Sequence, residues 1–267
     1  MQKEMLEKSI ASSRIMHAYL FYGPSGVGKK MLALEFAKLI LKTDNLDACP
    51  DFKYIERKED KKDIIVEQVR ENISEDIIER PISGSKKVYV INDANLLNIS
   101  AQNALLKTIE EPPEYAIIIL VAQSISSLLP TILSRVSKLE FSSLDKESIK
   151  EYVLENNISL NEKIIDFSMG SIGILNEVIS KNMIDSFERI NEIVTLIEKR
   201  DISEAIIKVA DVDFSQNLLL SYMQYSLFSK GHYESSLEIE RAINRLKMNG
   251  NYDIVIDNMI IKCIESL

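Results

Sequence analysis

The sequence predicts a parallel α/β sheet domain followed by a helical second half. Three observations carry that reading. Short apolar runs at Ala18 to Tyr22, 86–92, Ala116 to Ala122 and Ser137 to Phe141 alternate with helical patterns in the first half. Strands apolar on both faces, separated by helices, belong to a parallel sheet covered on both sides. Between the first strand and the first long helical pattern lies a glycine-rich loop, Gly23 to Lys29. After Phe141 no further convincing strand occurs, and amphipathic spacing takes over.

Taken in order, residues 3–14 read as a short helix leading to the first strand. His17 precedes that strand and reads as a structural residue, because no partner acid or cysteine stands near it. The loop Gly23-Pro24-Ser25-Gly26-Val27-Gly28-Lys29 fits the phosphate-binding pattern G-x-x-x-x-G-K. Its glycines let the backbone curl so that amide N–H groups converge on an anion. The helix that follows, carrying Met31, Leu32, Leu34, Phe36, Ala37, Ile40 and Leu41, adds its positive end, and Lys29 adds a point charge. The motif asks for Ser or Thr next, whose hydroxyl ligates Mg²⁺. Lys30 stands there instead, an ammonium expected to put positive charge where the metal would sit.

Residues 43–63 are polar and read as a surface connection around a short strand, Phe52 to Ile55. Residues 64–80 read as one helix with Ile65, Val69, Ile73, Ile77 and Ile78 on its apolar face. The strand at 86–92 ends in Asn92-Asp93, where a phosphate-loop ATPase carries an acidic pair. The amide removes the metal-side carboxylate and leaves Asp93. A helix over 100–110 is stopped by Glu111-Pro112-Pro113. Leu129 to Arg135 then leads into the last strand. Helices follow at 145–156 and 161–168, a Gly170-Ser171-Ile172-Gly173 turn, and a helix to about Asn182. Beyond Asp185 the helices break near Asp201, Asp211, Gly231 and Gly250, and their apolar spacing reads as bundle core.

Composition narrows the function classes. The 267 residues are 46% hydrophobic and 27% charged, an ordinary globular balance, and no apolar run reaches the length of a membrane span. The polar, mixed-charge N-terminus does not read as a secretory signal. Cys49 and Cys263 stand far apart and give no metal spacing, so free thiols in a reducing cytoplasm are expected. The net charge of −9 is uneven: residues 1–142 hold 19 basic and 20 acidic residues, and residues 143–267 hold 13 and 21. A protein whose task is to track nucleic-acid backbone carries a basic surface. Any DNA contact here is therefore local or indirect.

Several stretches together carry a resemblance. They are His-Ala-Tyr-Leu-Phe-Tyr-Gly-Pro-Ser-Gly-Val-Gly-Lys at 17–29, Lys-Val-Tyr-Val-Ile at 87–91, Asn-Ala-Leu-Leu-Lys-Thr-Ile-Glu-Glu-Pro-Pro at 103–113 and Leu-Pro-Thr-Ile-Leu-Ser-Arg at 129–135. Gly-Ser-Ile-Gly at 170–173 and Asn-Arg-Leu-Lys-Met-Asn-Gly-Asn at 244–251 join them. The chain resembles the bacterial clamp-loader subunits of the AAA+ class, in particular the delta-prime type of DNA polymerase III. The resemblance implies a nucleotide-binding-like AAA+ domain at 1–142, a helical lid at 143–182 and a helical collar at 183–267 through which subunits assemble. It implies motor-type and delta-type partners in a hetero-pentamer, and action on the sliding clamp and primed DNA through that complex, in the cytoplasm. It also implies that Arg135 is an arginine finger offered to a neighbour's ATP. The family pattern Ser-Arg-Cys reads Ser134-Arg135-Val136 here.

Other departures bear on turnover. The family's second arginine sensor is absent, since Gly173-Ile174 fills that stretch, and Cys49 alone cannot form the family's zinc cluster, so no zinc is expected. No metal site is assigned. ATP or ADP is expected to bind weakly or not at all in the degenerate loop of Gly23 to Lys30 beside Asn92 and Asp93. Three readings remain: a clamp-loader subunit without independent ATPase activity within the polymerase holoenzyme, an active motor-type ATPase, or a free-standing nucleotide-binding adaptor.

Overall fold

The computed structural model describes residues 2–58, 61–156, 158, 160–214 and 217–267. It divides into two compact units, one of Met1–Asp145 with Gly170–Gly173 and one of Lys146–Met169 with Ile174–Leu267.

In the first unit, helix α1 (Gln2–Ala11) leads to strand β1 (Ala18–Tyr22), and the glycine loop turns the chain into α2 (Lys29–Leu41). Strand β2 (Phe52–Ile55), helix α3 (Val66–Val69), strand β3 (Lys87–Ile91), helix α4 (Ile99–Glu110) and strand β4 (Ala116–Ala122) follow. Helix α5 (Pro130–Leu133) and strand β5 (Ser137–Glu140) complete it. The strands form one parallel sheet in the order β2-β3-β4-β1-β5. The fold class is the parallel α/β sheet expected.

Side-chain alternation builds a core on each face. Leu20, Tyr89, Ile91, Ile118 and Leu120 point to one side and meet Val69, Ile73, Ala101, Leu105, Ile109 and Ile132. Tyr19, Phe21, Val88, Val90, Ile117 and Ile119 point to the other and meet Leu6, Ala33, Phe36, Ala37 and Ile40. Every residue of β4 is buried. Each such Ile or Leu contributes about 1.5–3 kcal/mol on leaving water. The outer strand β5 places Lys138 and Glu140 in solvent, the charged edge that discourages pairing with another chain.

Residues 64–80 depart from the expected single helix. After α3 the backbone widens into a π turn over Arg70–Ser74, where Glu75 N–H reaches the Arg70 carbonyl at 3.0 Å, and then tightens into a 3₁₀ turn over Asp76–Ile78. The wider turn re-phases the apolar face. Ile64, Val69, Ile73 and Ile77 are buried, while Ile65 is half-buried and Ile78 is exposed.

The N-terminal edge of the sheet carries buried charge that composition did not reveal. Lys87 donates to the Asp76 carboxylate at 3.0 Å and to its carbonyl at 2.9 Å, and Tyr89 Oη donates to the same carboxylate at 2.8 Å. Burial works against the Asp76 anion, but these hydrogen bonds and the charges of Lys87 and Lys53 hold its carboxyl below the usual aspartate range. Asp51, also buried, accepts the backbone N–H groups of Ile82 and Ser83 at 2.7 Å and of Gly84 at 3.2 Å, fixing the loop before β3.

The second unit is helical. It comprises α6 (Lys146–Glu155), α7 (Glu162–Phe167), most of α8 (Ile172–Ser180), α9 (Ile184–Glu198), α10 (Ile202–Ala210), α11 (Asn217–Ser229), α12 (Tyr233–Lys247) and α13 (Tyr252–Glu265). The breaks fall where the sequence puts them. Phe167 of α7 stacks edge-on against Phe187 of α9 and Tyr222 of α11, at centroid distances of 5.8 and 5.2 Å. Residues on both sides of position 183 thus share one core. Helices α12 and α13 are tied reciprocally: Ser235 Oγ donates to the Cys263 carbonyl at 2.8 Å, and the Cys263 thiol donates to the Ser235 carbonyl at 3.3 Å. Burial pushes that thiol pKa up to about 12.

Candidate functional site

The glycine loop lies at the C-terminal edge of the parallel sheet, the edge where open α/β folds receive ligands. Gly28 caps α2 in a left-handed conformation that a side chain resists. Gly26 (φ +75°) touches the 170–173 turn. Its carbonyl accepts the Gly173 N–H at 2.9 Å, and a Cβ on Gly26 would lie 2.0 Å from Ser171 Oγ. The approach is mutual, since a Cβ on Gly173 would lie 2.6 Å from the Gly26 Cα.

Lys29 is 6% exposed. Its ammonium donates to the Gly23 carbonyl at 2.7 Å and to the Pro24 carbonyl, so it curls back on its own loop. Desolvation lowers its pKa, opposed by the charge of Asp93. Asp93 itself sits at φ 50°, just after β3, and accepts a hydrogen bond from Asn92 Nδ2 at 3.0 Å.

Lys30 finds partners at the end of β2. Its ammonium lies 4.9 Å from the centre of the Tyr54 ring and 4.0 Å from Glu56, both at the end of β2. Tyr54 Oη donates to Glu56 at 3.0 Å. The aromatic face and the carboxylate both attract the cation. No sequence spacing links positions 30, 54 and 56. Only the parallel sheet brings them together.

The metal side of the loop departs from the usual ligand set at two positions. Hard divalent cations want oxygen donors. Position 30 offers an ammonium, and the Asn92 amide nitrogen is directed at Asp93. Among the described residues no cluster of His, Cys, Asp and Glu suits a metal ion.

Arg135 stands apart from this group, after α5 and before β5. Its side chain is 39% exposed. Nη1 donates to the Thr131 carbonyl at 2.9 Å and to Ser134 Oγ at 3.2 Å, and Nη2 meets Glu110 at 3.0 Å. The structure thus brings Lys29, Lys30, Asn92 and Asp93 to one edge of the sheet and keeps Arg135 outside that group.

Comparison with known proteins agrees with this architecture. Residues 1–145 match the family described as DNA polymerase III, delta subunit. The delta' subunit of Pseudomonas aeruginosa DNA polymerase III is 36% identical over 135 residues, covering 45% of this chain and 41% of that protein. The tau/gamma subunit of Haemophilus influenzae is 35% identical over 162 residues, covering 55% of this chain and 23% of that protein. The chain therefore spans less than half the length of these two relatives. A solved DNA polymerase III gamma subunit-related protein from Thermotoga maritima superposes with a TM-score of 0.58 at 19% identity, over 99% of this chain and 98% of that one. That likeness concerns the fold. With a family match across more than half of its length, the chain belongs to the DNA polymerase III delta-subunit family, alongside relatives of the delta' and tau/gamma kinds.

Proposed function

We propose that this chain is a delta-prime-like clamp-loader subunit that does not hydrolyse ATP and supplies Arg135 to a neighbouring ATPase. It assembles with motor-type and delta-type subunits in a cytoplasmic hetero-pentamer, and helps place the sliding clamp on primed DNA. Residues 143–182 serve as lid and 183–267 as assembly collar. The observation that carries this reading is the metal side of the loop. Lys30, beside Tyr54 and Glu56, puts an ammonium where the motif places a hydroxyl ligand, and Asn92, whose amide nitrogen donates to Asp93, has a neutral amide oxygen in place of a carboxylate. Phosphoryl transfer in such loops relies on that cation to neutralise developing charge.

The amides and Lys29 can hold a phosphate weakly, as ATP or ADP, without a cation. Arg135 is suited to a charge role in trans because a guanidinium is always protonated and forks onto phosphate oxygens. The test is a reconstituted complex carrying Arg135→Ala. Assembly is expected to survive while ATPase and clamp loading fall. Unchanged ATPase in that complex would sink the assignment.

A second reading is a motor-type ATPase, favoured by the match to a tau/gamma subunit over 55% of the chain. Steady-state turnover by the isolated chain would support it.

A further inference from the structure

Arg135 and Glu110 come from separate elements, yet their meeting is fixed by how each element ends. Glu110 is the last residue of α4, whose continuation is blocked by Glu111-Pro112-Pro113. Arg135 is fixed from the other side by α5 and by Val136, which joins the core that also holds Ile109 and Ile132. Between these two anchors the guanidinium has, among the described residues, one anionic partner, Glu110, at 3.0 Å. Its other acceptors, the Thr131 carbonyl and Ser134 Oγ, are neutral. They orient Nη1 without competing for its charge.

A carboxylate and a phosphoryl group bind guanidinium through the same fork, and the phosphoryl carries more charge. Both partners of this pair are substantially exposed, at 39% and 45%, so the pair is weak enough to exchange. We propose that Glu110 is a releasable anchor: it holds Arg135 on its own subunit and gives way to the phosphate of a neighbour's nucleotide. Glu110 is a positioning residue, acting only through Arg135. The proposal rests on the reading of Arg135 as a finger in trans.

An anchor released on nucleotide binding raises the ATP concentration needed at the receiving site and leaves the chemical step alone. The experiment measures ATPase of the reconstituted complex with Glu110→Gln and Glu110→Ala, alone and combined with Arg135→Ala. Both variants of Glu110 are expected to lower the half-saturating ATP concentration by about two- to five-fold with kcat unchanged. The gap should shrink as added salt screens the wild-type pair. In the Arg135→Ala background the Glu110 variants should change nothing. An unchanged half-saturating concentration, or a fall in kcat, would overturn the anchor. Full turnover in Arg135→Ala alone would instead remove the finger reading beneath it, so the two failures are told apart.

Discussion

The two edges of the sheet treat buried charge differently. At the N-terminal edge, Lys87 is 2% exposed and meets a carboxylate that also takes a hydroxyl donor, while Asp51 accepts backbone amides from the loop before β3. These ionic groups have fixed protein partners. At the C-terminal edge, Lys29 is nearly as buried but rests on two neutral carbonyls of its own loop, with Asp93 acting only through space. A charge with saturated partners holds structure together. A charge on exchangeable partners can be given to a ligand. Arg135, which precedes β5, rests on an exposed carboxylate and on the neutral Thr131 carbonyl and Ser134 Oγ, and the proposed finger role places it with the second kind.

Substitutions can sharpen or break that contrast. The largest effect is expected for Arg135→Ala, which should lower turnover at the receiving site by about 10³-fold, the lower end of what arginine fingers contribute. Its own stability should barely change, since exposed ion pairs contribute about 1 kcal/mol or less. ATPase of the complex and thermal melting of the isolated chain check the two halves. Asp76→Asn should do the reverse. It leaves Lys87 buried against an amide and should cost about 2–4 kcal/mol in denaturant unfolding, with complex ATPase retained.

The same residue sets a pH dependence. The folded-state pKa of Asp76 is depressed, so its stabilisation is complete above the ordinary aspartate value of about 3.9. It is lost as pH falls through the lower folded value. The Asn variant should lack this acid limb when stability is followed between pH 2 and 6, as on the order of one titrating group. Gly26→Ala should act more mildly, by about 1–2 kcal/mol, since it forces a side chain into φ +75° and against Ser171. A shifted unfolding midpoint would register it. No shift would mean that the turn at 170–173 yields freely.

Much of this organisation is legible in the sequence because it is local. Gly23, Gly28 and Lys29 announce the loop by spacing, and β4 announces itself by seven consecutive apolar residues. Pro112 and Pro113 mark the end of α4. The missed features are those whose parts lie far apart along the chain. Asp76 with Lys87 and Tyr89, Asp51 with the loop at 82–84, and Lys30 with Tyr54 and Glu56 leave no periodic trace. The π turn at 70–74 escaped for another reason: its apolar residues keep helical spacing while the backbone does not. Position 78 is then read as core although it faces water. The surrounding motif singles out Arg135 as a candidate, but its ion pair with Glu110 is visible only when α4 and α5 are folded together.

The tie between α12 and α13 has a practical side. Cys263 is fully buried, and its thiol, raised to about 12, is almost wholly protonated at neutral pH. Thiolate is the species that alkylating reagents consume. Cys49 is partly accessible. A maleimide dye added to the native protein should therefore attach at one position, beside β2, and a second equivalent should be taken up only after unfolding. The wild-type chain thus carries a built-in reporter site, and the count of labels per molecule reads out whether the C-terminal helices remain folded.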